Sequence, residues 1–424
     1  MAALNLCATG FFTSRSSPAS PVISGSKIQQ QPSPNLNISR RAPLRLPLAN
    51  SPPVVPAAHP SAAAAAASSP FDLSPPPIDY DPVNSGAKFF DDISSEKVGD
   101  DNLAIDAALN GVAVVDLSHF GRIRVTGEDR IQFLHNQTTA KFDSLSAGEG
   151  CDTVFVTPTA RTIDLAHAWV MKNAITLLVS PATCASIAEM LKKYIFYADN
   201  VEVHDITKQT CFIVLVGPKS NQVMKNLKLD ALIGKSYGTH RHYNVGGMPI
   251  TVGVGSVLLK DGYSFLLSPS SLGPVWKALL SLGAIPVGAS AWERLRVLQG
   301  RPAAGKELTD DFNVLEAGLW SAVSVDKGCY KGQETISRLI TYGGIKQKLW
   351  GIELSGSAEP GSTITTAEDG KKVGVLTSYS VGREAGEHVG LGYVRKQVGP
   401  NGKVRIGDVA GTLVHVPFLS YPPQ

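Results

Sequence analysis

The sequence predicts an α+β fold followed by a small C-terminal antiparallel β-barrel. Over residues 111–345, short apolar runs typical of strands alternate with amphipathic stretches of helical spacing. Over residues 346–424 the pattern changes to short β-rich runs separated by Gly, Pro and Asp-Gly turns. The chain has 424 residues, of which 43% are hydrophobic and 18% are charged. This is an ordinary balance for a globular protein that buries a substantial core.

The first 70 residues have the composition of an organelle transit peptide. They are rich in Ser, Pro and Ala, and they contain five basic residues but no Asp or Glu. Because no basic residue precedes Arg15, the Arg-rich helix of a mitochondrial signal is poorly matched. We therefore predict the chloroplast stroma, with the mitochondrial matrix as the alternative, and a disordered tail without an address stays open. Residues 71–110, which include three consecutive prolines, are predicted to be a linker.

Charge and apolar patterning exclude several classes of protein. The formal net charge of +3 becomes −2 without the first 70 residues, so the mature chain has no basic footprint for nucleic acid. No apolar run reaches the roughly 18 residues of a membrane-spanning helix. There is no G-x-G-x-x-G or P-loop motif for a dinucleotide or ATP. We therefore expect neither nucleic-acid nor membrane partners.

The cysteines and histidines do not predict a metal site. None of the cysteines forms a C-x-x-C pair, which argues against a disulfide framework or an all-Cys metal site. The cysteines are Cys7, Cys151, Cys184, Cys211 and Cys329. His119 and His135 are isolated in sequence, and we interpret them as core or capping residues rather than as metal ligands.

Within the α+β region the strand pattern is clearest where apolar runs are short and bounded by turn residues. The predicted strands are 112–117, 122–126, 153–156, 163–171, 174–179 and 211–216. Asp261-Gly262 is placed as the turn of a hairpin between 250–259 and 263–267. A helix over 291–299 has Ser290 and Glu293 at capping-box spacing. Glu334 is predicted to open a further helix.

Chemically reactive side chains are concentrated in residues 327–334, K-G-C-Y-K-G-Q-E. If this segment is extended, Lys327, Cys329 and Lys331 share one face. Two neighbouring ammonium groups would favour the thiolate, which is the nucleophilic form of a cysteine. The alternative is that Cys329 is a small core residue beside turn glycines.

The run F-N-V-L-E-A-G-L-W-S-A-V-S-V-D-K-G-C-Y-K-G-Q-E, residues 312–334, resembles the signature of the YgfZ-type folate-binding proteins. Those proteins assist the assembly or repair of iron-sulfur clusters. They are related to the glycine cleavage T-protein, an aminomethyltransferase that uses tetrahydrofolate, and V-D-L-S-H-F-G-R-I-R-V-T-G resembles the opening of its folate-binding domain. The resemblance spans roughly residues 111–419. It implies a folate-binding α+β region over 111–345 and a C-terminal barrel over 346–424.

The resemblance also implies a ligand and a set of site residues. The ligand is tetrahydrofolate or one of its one-carbon derivatives, and the partners are iron-sulfur client or assembly proteins. The reactive loop is formed by Lys327, Cys329, Tyr330 and Lys331. The residues assigned to folate binding are Asp164, Gln333, Glu334 and Arg338.

The chain departs from the T-protein pattern where that family has acidic residues. The G-G-I-L-D-D-L-I-V segment of the T-protein corresponds to residues 161–166 of this chain, where Asp164 keeps one acid and Leu165 replaces the other. Both glutamates of the G-Y-T-G-E-D-G-F-E turn are absent from residues 258–264. Aminomethyl transfer from a lipoyl carrier is therefore not expected. The predicted function is folate-dependent support of iron-sulfur protein maturation. A one-carbon transferase with another acceptor and a folate-independent scaffold are the alternatives.

Overall fold

The structure is a computed structural model, and it describes residues 100–245 and 247–418. The predicted transit peptide lies outside the described residues, as does the predicted linker up to residue 99. The linker prediction is wrong over its last ten residues, because Asp101–Asn110 is a helix whose apolar side chains are buried in the core. In chain order, the described strands are β1 (Ala113–Asp116), β2 (Gly121–Thr126), β3 (Glu149–Val156), β4 (Thr162–Val170), β5 (Ala174–Val179), β6 (Glu202–Asp205), β7 (Cys211–Val216), β8 (His240–Val245), β9 (Met248–Ser256), β10 (Leu259–Leu267), β11 (Ile285–Val287), β12 (Gln347–Leu354), β13 (Thr363–Thr366), β14 (Lys372–Val381), β15 (His388–Arg395), β16 (Lys403–Ile406) and β17 (Val409–Val414). The described α-helices are α1 (Asp101–Asn110), α2 (Arg130–Gln137), α3 (Cys184–Lys193), α4 (Ser220–Asn226), α5 (Pro269–Ser281), α6 (Ala289–Leu298) and α7 (Gln333–Thr341).

The α+β region is built from two sheets. One has five strands in the order β3-β4-β5-β2-β6, and every neighbouring pair is antiparallel. The other has six strands in the order β11-β1-β7-β10-β9-β8. Its pairs are antiparallel except for β1 and β11, which run parallel. The strands predicted over 174–179 and 211–216 are confirmed as β5 and β7.

The two sheets meet through their inner faces. Side chains alternate along a strand, so Phe212 and Val214 of β7 lie on one face, whereas Ile213 and Leu215 face α5 on the other. The Trp169 ring of β4 lies 6.1 Å from the Phe212 ring, centroid to centroid, and joins the two inner faces. A Cβ atom at Gly253 of β9 would lie 2.5 Å from the Trp169 ring. The glycine therefore permits the sheets to approach this closely.

The C-terminal region is a closed barrel in the order β12-β15-β14-β13-β16-β17, with every neighbouring pair antiparallel. Its interior is filled by apolar side chains such as Ile352, Leu376 and Leu413, each fully buried. The predicted fold class, an α+β region followed by a small antiparallel barrel, is confirmed. The barrel contacts the α+β region where the Tyr393 ring stacks on Phe312, with ring centroids 3.5 Å apart.

Two local predictions are wrong in an instructive way. The hairpin of β9 and β10 exists, but it turns at 257–258, and Asp261-Gly262 lies within β10 at a register shift. Gly262 has a φ of +87°, and a Cβ there would lie 2.4 Å from the Leu215 carbonyl oxygen, so this glycine serves a bulge. Helix α6 begins at Ala289 without a side-chain cap, because its N-cap residue is Gly288 and the predicted cap, Ser290, lies inside the helix. Glu293 binds Arg296 and Lys306.

Candidate functional site

An open cavity lies where the inner face of β4, the β9–β10 turn and α6 converge. Its volume is about 530 Å³, a figure that includes the open solvent at its mouth. Its apolar walls include Phe120, Leu178, Leu258 and Trp292. The charged and polar side chains that line it include Asp164, His167, Arg296 and Arg301.

Asp164 is held in place by donors at the end of β5. Its Oδ2 accepts from the Ser180 amide at 2.7 Å and from the Thr183 hydroxyl at 2.5 Å, and its Oδ1 accepts from the Leu165 amide at 2.8 Å. Burial raises the pKa of Asp164, an effect that these hydrogen bonds oppose. Leu165, which replaces the second acid, also lines the cavity and shares a core cluster with Trp169. The cavity wall therefore has an apolar side chain at the position where the T-protein pattern has its second carboxylate.

A buried polar chain lies beside Asp164 on the neighbouring strands. The Trp169 Nε1–H donates to His167 Nε2 at 2.9 Å, so the neutral ring carries its proton on Nδ1 and donates it to Asp152 Oδ1 at 2.9 Å. The Tyr237 hydroxyl donates to the same Asp152 oxygen at 2.6 Å. Burial alone would raise the pKa of Asp152, but the His167 hydrogen bond and the Arg301 charge lower it below its usual range. Both ring nitrogens of His167 therefore have hydrogen-bond partners within the protein.

The barrel fixes one wall of the cavity through a buried ion pair. Arg296 Nη1 lies 3.0 Å from Glu307 Oε2, and Glu307 is fully buried. The other Glu307 oxygen accepts from the hydroxyls of Thr377 and Ser378 on β14 at 2.7 and 2.6 Å. Arg296 also donates to the Arg301 carbonyl at 2.6 Å. The segment 301–304, which lines the cavity, is thus tied to the barrel.

The segment 327–334 lies outside this cavity, against the end of α2 and the β3–β4 turn. The Lys331 amide donates to the Asn136 carbonyl at 3.0 Å. Gly332 has a φ of +84°, and a Cβ there would lie 2.8 Å from the Thr157 carbonyl oxygen. Residues 327–332 form a loop that leads into α7 at Gln333, and not a strand, so the placement of Lys327, Cys329 and Lys331 on one face of a strand is wrong.

The lysine ammoniums of this loop engage groups other than the thiol. Lys327 Nζ donates to the carbonyls of His135, Thr138 and Ala140 at 2.5, 2.8 and 2.6 Å. Burial lowers the pKa of Lys327 to about 8. Lys331 Nζ lies 3.1 Å from the Met190 sulfur and 4.6 Å from the centroid of the Tyr194 ring.

Cys329 is exposed on the loop, whereas Tyr330 is half-buried beneath the Lys327 ammonium, 4.6 Å from its ring centroid. Burial raises the pKa of Tyr330. The loop therefore presents a thiol to solvent from a backbone that Lys327 anchors. The predicted reactive role of these residues stays a prediction.

The remaining predicted folate residues are divided between two places. Asp164 lines the cavity, whereas Gln333, Glu334 and Arg338 lie on α7 and are not among the residues that line it. The Gln333 side chain accepts from the Tyr330 amide at 2.8 Å, which closes the turn before α7. Glu334 and Arg338 are exposed. The structure does not bring the four residues together around one ligand.

Comparisons with known proteins agree with this architecture. Residues 87–327 match the family model GCV_T, described as the GCVT N-terminal domain. The chain belongs to the GCV_T family. It is 60% identical over 362 residues to an Arabidopsis thaliana protein named as a chloroplastic "putative transferase", covering 84% of this chain and 83% of the relative. The Bacillus subtilis aminomethyltransferase is 25% identical over 324 residues, covering 75% and 89% of the two chains.

A solved structure of a GCV_T relative supports the fold. The crystal structure of the glycine cleavage system aminomethyltransferase T from Bartonella henselae superposes with a TM-score of 0.66 at 18% identity. The match covers 76% of this chain and 89% of that one. At this identity the likeness establishes the shared fold.

Two further features concern metals and membranes. Among residues 100–245 and 247–418, no group of three or more His, Cys, Asp or Glu side chains is arranged to hold a metal ion. No helix in that part of the chain is long and apolar enough to cross a membrane.

Sequence reasoning missed Asp152, His167, Arg301 and Glu307. Leu165, His167 and Trp169 occur at alternate positions of β4, which is the spacing of one strand face. That spacing could have placed His167 beside Leu165. The partners of Arg301 and Glu307 lie on other elements, so local sequence carries no signal for them.

Replacing Lys327 by methionine is expected to lower the free energy of unfolding by about 1.5–3 kcal/mol. The change keeps the apolar stem but leaves three carbonyls at the end of α2 without their charged donor. Lys331→Met is the matched control, because the contacts of that ammonium within the described residues are with a sulfur and a ring, and it should cost under about 1 kcal/mol. Urea unfolding followed by tryptophan fluorescence measures both. Equal costs for the two variants would contradict the anchoring role of Lys327.

Proposed function

We propose that this protein binds tetrahydrofolate or a one-carbon derivative and supports the maturation or repair of iron-sulfur proteins in the chloroplast stroma. The observation that carries the folate proposal is the open cavity in a GCV_T fold, with Asp164 among its lining residues. Its aromatic and aliphatic walls suit a flat pteridine ring, and a carboxylate suits the donor edge of that ring. The name of the Arabidopsis thaliana relative supports the plastid location.

The iron-sulfur proposal depends on the loop rather than on the cavity. Residues 312–334 resemble the YgfZ-type signature, and the structure exposes Cys329 at the centre of that loop. An exposed thiol can contact a protein client without entry into the cavity. The loop and the cavity are therefore assigned separate tasks, contact with the client and folate binding.

The cavity disfavours the chemistry of the aminomethyltransferase relatives. Leu165 stands on the cavity wall where the T-protein pattern has an acid. The surviving Asp164 accepts three hydrogen bonds from the protein itself. A one-carbon transferase with another acceptor stays the second candidate, because the 60% identical relative is named as a transferase. Product analysis with a labelled one-carbon folate distinguishes the two functions.

Complementation of a bacterium that lacks its YgfZ-type protein tests the function. The wild-type protein is expected to restore the activity of the cluster-containing enzymes, and Cys329→Ala is expected to abolish most of that rescue. Cys151→Ala is the matched control, because burial raises the pKa of the Cys151 thiol to about 12 and keeps it un-ionised. Protein abundance is measured in each strain. Full rescue by Cys329→Ala would refute the role of the thiol, and no rescue by the wild type would refute the iron-sulfur function.

A further inference from the structure

Among the described residues, the Arg301 guanidinium has one charged partner, and it lies beyond hydrogen-bond distance. Arg301 follows Gly300 at the end of α6, and its backbone is fixed on both sides: its amide donates to the Arg296 carbonyl at 3.1 Å, and its carbonyl accepts from the Arg296 side chain. Its side chain keeps 16% of its surface exposed and lines the cavity. Within the described part of the chain, its guanidinium makes one ion pair, with Asp152 at 3.6 Å. That separation is longer than a hydrogen bond.

Arg296, the other guanidinium that lines the cavity, differs in this respect. Its donors bind both oxygens of Glu293, one oxygen of Glu307, the Ser378 hydroxyl and the Arg301 carbonyl. Arg296 therefore has few hydrogen-bond donors available for a ligand.

Asp152, the ion-pair partner of Arg301, does not occupy the hydrogen-bond donors of the guanidinium. Asp152 uses its Oδ1 to accept from His167 and Tyr237 and presents its Oδ2 to Arg301 at 3.6 Å. A guanidinium has five N–H donors in a planar fork, and a carboxylate matches that fork with two parallel hydrogen bonds. Within the described ranges, Arg301 is thus a partly desolvated cation on a cavity wall whose donors can bind a ligand oxygen.

Two of the charged groups that line the cavity, Asp164 and Arg301, differ in exposure. Asp164 is buried, whereas Arg301 is only partly buried. A ligand with hydrogen-bond donors at one end and an anionic group at the other would satisfy both. We propose that Arg301 binds a carboxylate of the ligand at the outer part of the cavity. The assignment rests on the proposed folate function, in which the carboxylate belongs to the glutamate tail.

The test measures the affinities of intact and truncated ligands for the full-length wild type and its variants by calorimetric titration. The ligands are tetrahydrofolate, 6-methyltetrahydropterin, which lacks the carboxylates, and N-(4-aminobenzoyl)-L-glutamate, which lacks the pterin. Arg301→Gln is expected to weaken tetrahydrofolate and aminobenzoylglutamate roughly 10- to 100-fold, the effect of losing hydrogen bonds to a charged group, and to leave methyltetrahydropterin unchanged. Lys306→Gln, which removes a positive charge 45% exposed on the same segment, is expected to leave all three affinities within twofold.

Each other outcome has a definite meaning. If Arg301→Gln leaves tetrahydrofolate binding unchanged, the carboxylate assignment fails while folate binding stands. If it weakens methyltetrahydropterin equally, Arg301 supports the cavity rather than the tail, and the assignment also fails. If the wild type binds neither pterin but binds aminobenzoylglutamate through Arg301, the folate function fails and a carboxylate site stands. Binding of none of the three ligands by the wild type overturns both proposals.

Discussion

Replacing Arg296 by methionine is expected to lower the free energy of unfolding by about 3–5 kcal/mol, the usual cost of removing one partner of a buried ion pair. Glu307 exposes none of its surface, and Arg296 Nη1 is 3.0 Å from its Oε2. Without Arg296, the hydroxyls of Thr377 and Ser378 still donate to Glu307, but no cation compensates its charge. The cost arises because a desolvated carboxylate is left unpaired.

A double-mutant cycle separates this charge effect from lost packing. Glu307→Gln removes the charge with little change in shape, so Arg296→Met/Glu307→Gln should cost less than the sum of its two single changes. Lys306→Met is the control, because Lys306 is 45% exposed and pairs with the partly exposed Glu293, and it should cost at most about 1 kcal/mol. Urea unfolding followed by tryptophan fluorescence reports all four variants. An Arg296→Met protein as stable as Lys306→Met would show that the ion pair contributes nothing.

The same variant bears on the cavity. Arg296 donates to the Arg301 carbonyl, and Glu307 accepts from the Ala303 amide at 3.0 Å. Both bonds fix the segment that lines the cavity beside Asp164. The barrel, which supplies the hydroxyl donors to Glu307, is therefore part of the support of the site although it lies outside it.

The sequence was sufficient where one element determines its own structure. Strands β5 and β7 begin and end at the predicted residues, because each is a short apolar run bounded by turn residues. The barrel follows from the same pattern repeated around short turns. The turn at Asp261-Gly262 was misplaced because a left-handed glycine serves a bulge as well as a hairpin turn, and local sequence does not distinguish the two.

The site was less predictable because its contacts join distant parts of the chain. Lys327 donates to carbonyls 187–192 residues earlier, and an alternating-face argument could not anticipate that. Asp152 and His167 are 15 residues apart and meet only because β3 and β4 pair in one register. Asp164 could be named from a resemblance, but the donors that already occupy it appear only in the fold.

Acidification is expected to destabilise the protein through His240, a buried histidine at the start of β8. His240 is 3% exposed and stacks on Trp169, with ring centroids 5.3 Å apart. Its Nδ1 lies 3.1 Å from the Gly238 carbonyl, and its Nε2 is buried without a hydrogen-bond partner among the described residues. Burial lowers the pKa of His240 from 6.5 to about 4. The surroundings of His240 therefore accommodate the neutral ring and disfavour the imidazolium.

The direction of the pH effect follows from proton uptake. Between pH 6.5 and 4 the unfolded chain binds a proton at His240 that the folded chain does not bind, so stability falls as the pH falls. The stabilising contribution of the neutral ring is fully present above pH 6.5 and is lost as the pH falls. The unfolded and folded pKa values differ by about 2.5, so the loss amounts to about 3 kcal/mol by pH 4. His240→Phe removes the titrating group and keeps an aromatic ring against Trp169, so its stability should fall less across this range.

Urea unfolding at pH 7 and pH 5 measures the difference directly. At pH 5, where most of the effect has developed, the wild type is expected to have lost about 2 kcal/mol more than His240→Phe. His204→Phe is the control, because it removes a histidine whose side chain is 56% exposed, so any change shared by the two variants would come from the loss of a histidine and not of a buried one. If wild type and His240→Phe lose stability in parallel, His240 is protonated in the folded protein above pH 5. A buried neutral ring between the two sheets would then be the wrong description of that contact.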